Sequence, residues 1–399
     1  MSKKKIDILI VLLDIGLTLD NSAVFQSQVG DQVIHLQNHG FEVGVLCISN
    51  NDEIFSKVIG DKLANNGVRI FKISSIGFFR NFFSLIKYGR FILKSYKVGS
   101  FYVRGIWGGI AAMLINTLSY KKIPMVYDLR GDLKDELISV RVSSLKQRLY
   151  LFLESLCINR ATYVSAVTKK LIEVVNKRYI IKDSVVIPCC VNFNFFQIED
   201  NLIEEERKKL GFETNDLILI YSGGLSHYQQ VPKMLELWSN LLEEPNVKFI
   251  LLTNEDPHSH PTTIKYQDKF GSKLIHLSVS RNRVPIILNT ADIAFLLRDD
   301  RQLNRVASPV KFAEYISSGL KVVTSPHLGD IHQQVVDYNL GILIDSSLTN
   351  KDINKFKNFI IEAKTNRSKQ ERSRIKEIAL SLYNWGAYND TFIKLYKKR

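Results

Sequence analysis

Lys311 and Glu314 lie three residues apart in an otherwise small and apolar segment, VASPVKFAEYISSGLKVV, which spans residues 306–323. Ser308 is a good N-cap residue and Pro309 suits a first helical turn, so the spacing predicts a helix with both charged side chains on one face. A lysine at a helix start opposes the macrodipole unless an anion binds there, and backbone N–H groups favour phosphate at the same place. Glu314 can accept hydrogen bonds from sugar hydroxyl groups. A diphosphate attached to a ribose would therefore contact both residues.

The alternative is an ordinary ion pair between these two side chains on the protein surface. Such i,i+3 pairs are common and contribute little to stability. On this helix alone both interpretations stay open.

The elements that must position these residues alternate along the whole chain. Short β-rich runs are separated by segments with helical character, which is typical of doubly wound parallel sheets, and 399 residues are enough for two domains. A polar, charge-rich connection follows residue 190, and the alternation then restarts. We predict a first domain over residues 1–195, a second over 196–375, and a C-terminal helix over 376–399 that packs back on the first. In such sheets ligands bind beyond the carboxyl ends of the strands.

The composition limits the partners and the chemistry. The formal net charge of +14 predicts anionic partners, namely phosphates, nucleic acid or an acidic membrane surface. Neither the four cysteines nor the histidines show the spacing of a metal site, so no metal and no cofactor are expected. The longest uncharged run, 105–120, is too short to span a membrane. The protein is expected to be soluble or peripheral to a membrane.

Four stretches in the correct order resemble one family. The segment ADIAFLLR followed by NRVASPVKFAEYISSGLKVV resembles the donor-binding region of nucleotide-sugar-dependent glycosyltransferases with the GT-B fold, of the retaining family 4 kind. YDLRGDLKDEL, ATYVSAVTKKLIEVV with VVIPCCVNFNFF, and LILIYSGGLSHYQQVPKMLELW resemble other parts of these enzymes. The resemblance implies two Rossmann-like α/β domains that face a cleft.

The resemblance also implies site residues in the second domain. Glu314 would accept hydrogen bonds from the ribose of the donor, and Lys311, Arg298 and Arg305 would neutralise its diphosphate. The turn Ser222-Gly223-Gly224 would let the backbone approach the phosphates. The helix start at Ser308, Pro309 and Val310 would complete the donor-binding set.

This sequence departs from the family pattern at three positions. Val306 stands where a first glutamate is usual, eight positions before Glu314. Gly224 and Gln229 stand nearest to the usual arginine and lysine after the glycine turn. The phosphates must therefore find their cations among Arg298, Arg305 and Lys311, and the contacts to the donor sugar are left open.

Candidate residues in the first domain follow the strand VYDL. Asp128, Arg130 and Asp132 would lie at its carboxyl end, where they could orient an acceptor hydroxyl or bind a phosphate. Arg104 ends the preceding strand and would join them, and Asn21 lies in the first strand-to-helix turn. We predict catalytic roles for Asp128 and Arg130, as for Lys311 and Glu314, and acceptor-side roles for Asn21, Arg104 and Asp132. The alternatives are a loop salt bridge and, for Asn21, helix capping alone.

The charge is concentrated in the first domain. No acidic residue occurs between Asp61 and Asp128, and the segment 78–97 interleaves aromatic with basic residues. A basic amphipathic helix of this kind suits an anionic membrane surface, here the inner face of the cytoplasmic membrane. The alternative is a core helix with a solvated basic edge. Nucleic acid is disfavoured because no nucleic-acid-binding motif accompanies the pattern.

The predicted function is sugar transfer, with retention, from a nucleotide-diphosphate-sugar to a glycan or lipid-linked acceptor. Surface polysaccharide biosynthesis, such as that of O-antigen or capsule, is the setting that the resemblance implies. No D-x-D motif is present, and glycosyltransferases of the other major fold hold a divalent metal with such carboxylates, so a metal-independent enzyme is expected. A nucleotide-sugar epimerase or hydrolase, or a non-catalytic sugar-nucleotide-binding protein, remains the alternative.

Overall fold

Two parallel β-sheets organise the chain, one in each of two units. The computed structural model describes residues 3–13, 26–49, 60–75, 77–256, 260–261 and 263–396. The first unit contains residues 1–190 and 385–399, and the second contains residues 191–384. Both units have helices between successive parallel strands, which confirms the predicted fold class of two doubly wound α/β domains.

The first unit is built on a seven-stranded sheet with the order β3-β2-β1-β4-β5-β6-β7. The strands are β1 Lys4–Leu12, β2 Val43–Ser49, β3 Arg69–Ser74, β4 Tyr96–Arg104, β5 Met125–Leu129, β6 Tyr163–Ala166 and β7 Ser184–Val186. The helices are α1 Asp31–Asn38, α2 Asp61–Asn65, α3 Phe78–Ser95, α4 Gly105–Leu118, α5 Leu133–Ser139, α6 Ser144–Arg160 and α7 Lys169–Asn176. Strand order reverses between β1 and β4, so the ends of β4 and β5 lie beside the switch point, where this kind of sheet binds ligands.

The second unit is built on a six-stranded sheet with the order β10-β9-β8-β11-β12-β13. The strands are β8 Leu217–Ser222, β9 Val247–Leu252, β10 Leu274–Leu277, β11 Ile293–Leu296, β12 Lys321–Thr324 and β13 Gly341–Leu343. The helices are α8 Asp200–Lys209, α9 Val231–Ser239, α10 Ile264–Phe270, α11 Val284–Thr290, α12 Gln302–Arg305, α13 Val310–Ser317, α14 Ile331–Asp337, α15 Asn350–Thr365 and α16 Lys369–Tyr383. Here the switch point lies between β8 and β11.

The last residues return to the first unit later than the sequence suggests. Helix α16 packs against α13 in the second unit, where Tyr383 lies edge-on to Phe312 with 5.5 Å between ring centroids. The return therefore begins at Trp385, not at residue 376. Trp385 and Phe392 are buried in the core of the first unit, the latter on α17 Asn389–Tyr396. Each buried aromatic side chain stabilises by about 1.5–3 kcal/mol, so this segment is an integral part of the first unit.

Candidate active site

The carboxyl ends of β8 and β11 place the glycine turn beside two cationic residues. Ser222 ends β8, and its backbone N–H donates to Tyr315 Oη (3.0 Å). Gly223 follows with a φ of 140°, a conformation that side chains rarely tolerate. A Cβ atom at Gly223 would overlap the end of the Lys311 side chain. Glycine is therefore required at this position both for the turn and for the passage of Lys311.

Lys311 and Arg298 converge on one neutral oxygen atom. Lys311 Nζ donates to Gln229 Oε1 (3.0 Å) and to Tyr221 Oη (3.1 Å), and it lies 4.6 Å from the centroid of the Tyr221 ring. Arg298 Nη1 also donates to Gln229 Oε1 and, at 3.2 Å, to the carbonyl of Leu297. Two cationic side chains thus share an amide oxygen instead of a carboxylate.

The backbone around Arg298 is held in place from the neighbouring strand. Its N–H donates to Ser325 Oγ (2.8 Å), and that hydroxyl donates to the Arg298 carbonyl. The guanidinium carbon lies 5.2 Å from the centroid of the Tyr228 ring. Arg298 is only 6% exposed, so the surrounding residues hold its side chain in place.

The charges of Lys311 and Arg298 are not neutralised by direct ion pairs with described residues. In the part of the chain that the structure describes, neither Lys311 nor Arg298 forms an ion pair with a carboxylate. Burial lowers the pKa of Lys311 to about 7, and Arg298 adds to this effect, whereas Glu314 and Glu255 oppose it. Burial also lowers the pKa of Arg298. An anion bound here would stabilise the charged forms of both residues.

The helix that carries Lys311 and Glu314 begins one residue later than the sequence indicates. Helix α13 starts at Val310, its N-cap is Pro309 with a ψ of 126°, and no side chain caps it. The prediction of Ser308 as the N-cap is therefore wrong, because the extended conformation of Pro309 moves the helix start past the serine. Lys311 lies in the first turn, and Glu314 is half-buried one turn later.

Three other positions singled out in the second domain do not join the two cations. Arg305 donates from Nε and Nη2 to the carboxylate of Asp300 (2.6 and 2.7 Å) at the surface. Val306 is fully buried, so an apolar side chain occupies the position of the usual first glutamate. Gly224 offers its carbonyl to the Tyr221 hydroxyl at 2.5 Å.

In the first unit, Arg104, Asp128 and Arg130 form one cluster. Arg104 and Asp128 are paired residues of neighbouring strands β4 and β5. Asp128 Oδ2 accepts from Arg104 Nε (3.1 Å) and from Arg130 Nε (2.5 Å). Burial opposes ionisation of Asp128, but Arg130 and Arg104 hold its pKa below the ordinary value. The cluster carries one net positive charge.

Arg130 is the member of this cluster that can reach a ligand. About a fifth of its side chain is exposed (21%), whereas Asp128 and Arg104 are buried. Arg130 Nη2 also donates to Tyr102 Oη (3.2 Å), and Arg104 Nη2 donates to the Gln28 carbonyl (3.2 Å). Asp128 is thus placed to hold the two arginines.

Asp132 does not belong to this cluster. Asp132 is the N-cap of α5, where it accepts from Lys134 N (3.2 Å), and it pairs with Arg178 through both carboxylate oxygens. Its contacts explain it as a capping and ion-pairing residue. Asn21 lies outside the described residues.

Helix α3 has two aromatic faces, one buried and one exposed. Phe78 and Phe82 pack edge-on against Trp107, with centroids 5.0 and 5.8 Å away. Phe79, Phe83 and Phe91 are exposed, as are all the basic residues of the segment 78–97. Among the described residues, no helix is long and apolar enough to cross a membrane.

Gln229, Tyr221 and Tyr228 also belong to this site, although no sequence motif predicts it. Gln229 was noted only because a lysine is usual nearby. An almost buried polar residue in a strand-to-helix turn indicates a site residue, but its burial is known only once the chain is folded. In the described ranges no cluster of three potential metal ligands occurs.

One family model matches most of the second unit. Residues 203–380 match the model described as "Glycosyl transferases group 1". Over this range the second unit is similar to the glycosyl transferases of group 1. The matched range contains the cations Arg298 and Lys311 and the carboxylate of Glu314. No curated protein matches the sequence.

Solved structures extend the likeness over nearly the whole chain, beyond residues 203–380. HepE from Anabaena, in complex with UDP and glucose, is 14% identical with a TM-score of 0.69, over 98% of this chain and 99% of that one. A glycosyltransferase from Rickettsia africae is 14% identical with a TM-score of 0.72, over 98% of both chains. WaaG, a glycosyltransferase involved in lipopolysaccharide biosynthesis, is 13% identical with a TM-score of 0.65, over 98% of this chain and 100% of that one. These likenesses confirm the GT-B fold class.

Proposed function

We propose that the protein is a retaining glycosyltransferase that transfers a sugar from a nucleotide-diphosphate-sugar to a glycan or lipid-linked acceptor. The observation that carries the proposal is the pair of cations, Arg298 and Lys311, that share the neutral oxygen of Gln229 at the switch point of the second sheet. A bound diphosphate supplies the negative charge that the neutral oxygen of Gln229 does not provide. An epimerase or hydrolase would use the same donor site, and only product analysis separates these activities.

The chemistry follows from where negative charge develops. When the bond between the sugar and the diphosphate breaks, the leaving nucleoside diphosphate gains negative charge. Cations fixed in a partly desolvated site stabilise that charge more than water does. Lys311 and Arg298 stabilise this charge without a metal ion. Glu314 accepts hydrogen bonds from the hydroxyl groups of the ribose.

Two similarities favour particular substrates. HepE has been observed with UDP, with UDP and glucose, and with UDP-glucose, so UDP-sugars are the first donors to test. WaaG acts in lipopolysaccharide biosynthesis, which favours a surface polysaccharide as the setting. On the acceptor side, Arg130 would bind an acceptor phosphate or hydroxyl while Asp128 and Arg104 hold its guanidinium group.

A membrane surface is the proposed place of action. The exposed face of α3 combines Phe79, Phe83 and Phe91 with basic residues, and it carries no acidic residue. The basic residues attract anionic headgroups and the phenylalanines can enter the interface. This face would keep the enzyme, on the cytoplasmic side, near a lipid-linked acceptor.

Incubation with a panel of nucleotide sugars tests the function. We expect one donor, first among the UDP-sugars, to raise the melting temperature and to be hydrolysed slowly or transferred, since a ligand that binds only the folded state stabilises it. The activity is expected to persist in EDTA. Formation of an epimer, binding without turnover, or activity that EDTA abolishes and magnesium restores would each contradict a defined part of the proposal.

Removing the charges of α3 tests the membrane surface. Each basic residue near an anionic bilayer contributes about 1 kcal/mol, and the attraction decays within a Debye length of about 10 Å at 0.1 M salt. We expect a five-fold glutamine variant to leave vesicles of anionic lipid while it keeps activity on a soluble acceptor. The replaced residues are Arg80, Lys87, Arg90, Lys94 and Lys97.

The matched control removes the same charge elsewhere. It replaces five exposed lysines of the second unit with glutamine, namely Lys208, Lys209, Lys269, Lys351 and Lys357. This control is expected to sediment with vesicles as the parent does. Equal sedimentation of the α3 variant and the parent would show that α3 is not the docking surface.

A further inference from the structure

Gln229 occupies the centre of the cationic site. It ends the short 3₁₀ turn His227–Gln229, just before α9, and it is 7% exposed. Its Oε1 accepts from Lys311 Nζ and from Arg298 Nη1, which come from different elements of the second unit. The amide is therefore the only group that contacts both cations through hydrogen bonds among the described residues.

The chemistry of the two donors fixes the orientation of this amide. An ammonium and a guanidinium group can only donate, so the oxygen must face them and the NH₂ group must face away. Among the described residues Gln229 Nε2 donates to no acceptor, yet it is not one of the buried side-chain atoms that lack a partner. Nε2 thus keeps access to solvent and has a donor to offer.

A neutral acceptor at this place has a specific consequence. Two cations that share one oxygen repel each other, and a carboxylate would hold them more strongly. A carboxylate would also cancel one of the two positive charges and repel an anion. Glutamine holds the two cations together and leaves their charge available.

We propose that Gln229 is a ligand and a positioning residue of the donor diphosphate site. Its oxygen sets the positions of Lys311 and Arg298, and its Nε2 donates a hydrogen bond to a phosphate oxygen bound between them. This inference rests on the proposed function, because it assigns a residue to the same donor site.

The substitution Gln229→Glu tests the proposal with almost no change in shape. The two cations stay anchored, but the added negative charge and the lost NH₂ group weaken binding of UDP-glucose and of inorganic pyrophosphate by about 100-fold or more. Binding of uridine alone, where the parent shows it, is expected to stay unchanged. Gln229→Met, which keeps the length but has no oxygen, is expected to weaken both phosphate ligands as well.

The pH dependence gives a readout that a purely structural role would not move. Lys311 binds phosphate when protonated, so in the parent the affinity for UDP-glucose falls as pH rises above the Lys311 pKa of about 7. In Gln229→Glu the new carboxylate raises that pKa, and the affinity, although lower, becomes independent of pH between about 6 and 8. The charged and titratable groups that face Lys311 are Arg298 after β11, Tyr221 on β8, Glu255 after β9 and Glu314 on α13.

The outcomes separate this inference from the proposed function. Tight binding of UDP-glucose or pyrophosphate by Gln229→Glu, with the pH profile of the parent, would overturn the role of Gln229 and leave the donor site in place. If the parent binds pyrophosphate but no nucleotide sugar, and both variants lose it, the role of Gln229 holds and the proposed donor is wrong. A parent that binds neither pyrophosphate nor any nucleotide sugar would overturn both.

Discussion

Replacing Lys311 with alanine is expected to weaken binding of the nucleotide-sugar donor by about tenfold to hundredfold, because a charge-assisted hydrogen bond contributes about 1.5–3 kcal/mol. Binding of the nucleoside without phosphates should change little. Turnover should fall further than binding, since the lysine also stabilises the charge of the leaving diphosphate. Calorimetry with a nucleoside and its diphosphate sugar measures the difference directly.

The pH profile makes this test specific to the ammonium group. The parent should lose affinity as pH rises above about 7, since burial has lowered the pKa of Lys311 to that value and phosphate binds its protonated form. Lys311→Ala should be weak and flat with pH. The diphosphate of a nucleotide sugar does not titrate in this range, so the profile reports the protein.

A lysine of similar exposure provides the control for Lys311. Lys321 on β12 is half-buried and lies 3.5 Å from the carboxylate of Glu371, so its charge is neutralised where it stands. Lys321→Ala should keep the affinity and the pH profile of the parent. Equal losses for the nucleoside and the diphosphate sugar in Lys311→Ala would argue against the phosphate role.

Parallel-sheet geometry explains why part of the site could be predicted. Residues at the carboxyl ends of neighbouring parallel strands meet at one edge, so Arg298, Ser222 and Gly223 could be placed together from the strand pattern alone. The same rule placed Arg104 beside Asp128. Hydrophobic runs define the strands, and the strands define the edge.

The partner of a charged residue could not be predicted in this way. Asp132 was assigned to the acceptor side, but Arg178, 46 residues later, binds its carboxylate. Arg305 was assigned to the diphosphate, but Asp300 holds it five residues away. Sequence patterns give the element on which a side chain lies, whereas its nearest opposite charge depends on loop conformation and tertiary packing.

The role of Gln229 was hidden for the same reason. By sequence it is a neutral residue near a position where a lysine is usual, which suggests a weaker site. In the fold it contacts Arg298 and Lys311, both from later elements. The cations come from the loop after β11 and from α13, and the glutamine oxygen accepts hydrogen bonds from both. The charge at this site therefore comes from residues that are distant in sequence and meet only in the folded chain.

The aromatic residues of α3 show a further limit of periodicity. The segment was expected either to dock on a membrane or to pack in the core. The structure assigns Phe78 and Phe82 to the packing against Trp107, and it leaves Phe79 and Phe83 exposed. Because aromatic residues occupy adjacent positions, the sequence of α3 predicts two apolar helix faces. The position of Trp107 in the fold determines which of them is buried.

Replacing Glu314 with alanine is expected to lower turnover by about tenfold to hundredfold, with little change in melting temperature. Each ribose hydroxyl left without its acceptor costs about 1–3 kcal/mol, and the side chain is only half-buried on the surface of α13.

Because Glu314 also raises the pKa of Lys311, its removal lowers the protonated fraction of that lysine at neutral pH. Parent and variant should therefore also be compared below pH 7, where their protonated fractions of Lys311 differ less. A donor that lacks a ribose hydroxyl completes a double-mutant cycle. The parent should bind the deoxy donor more weakly than the normal one, and Glu314→Ala should not distinguish them. Wild-type-like affinity and turnover in this variant, or an unchanged preference for the hydroxyl group, would remove Glu314 from the donor site.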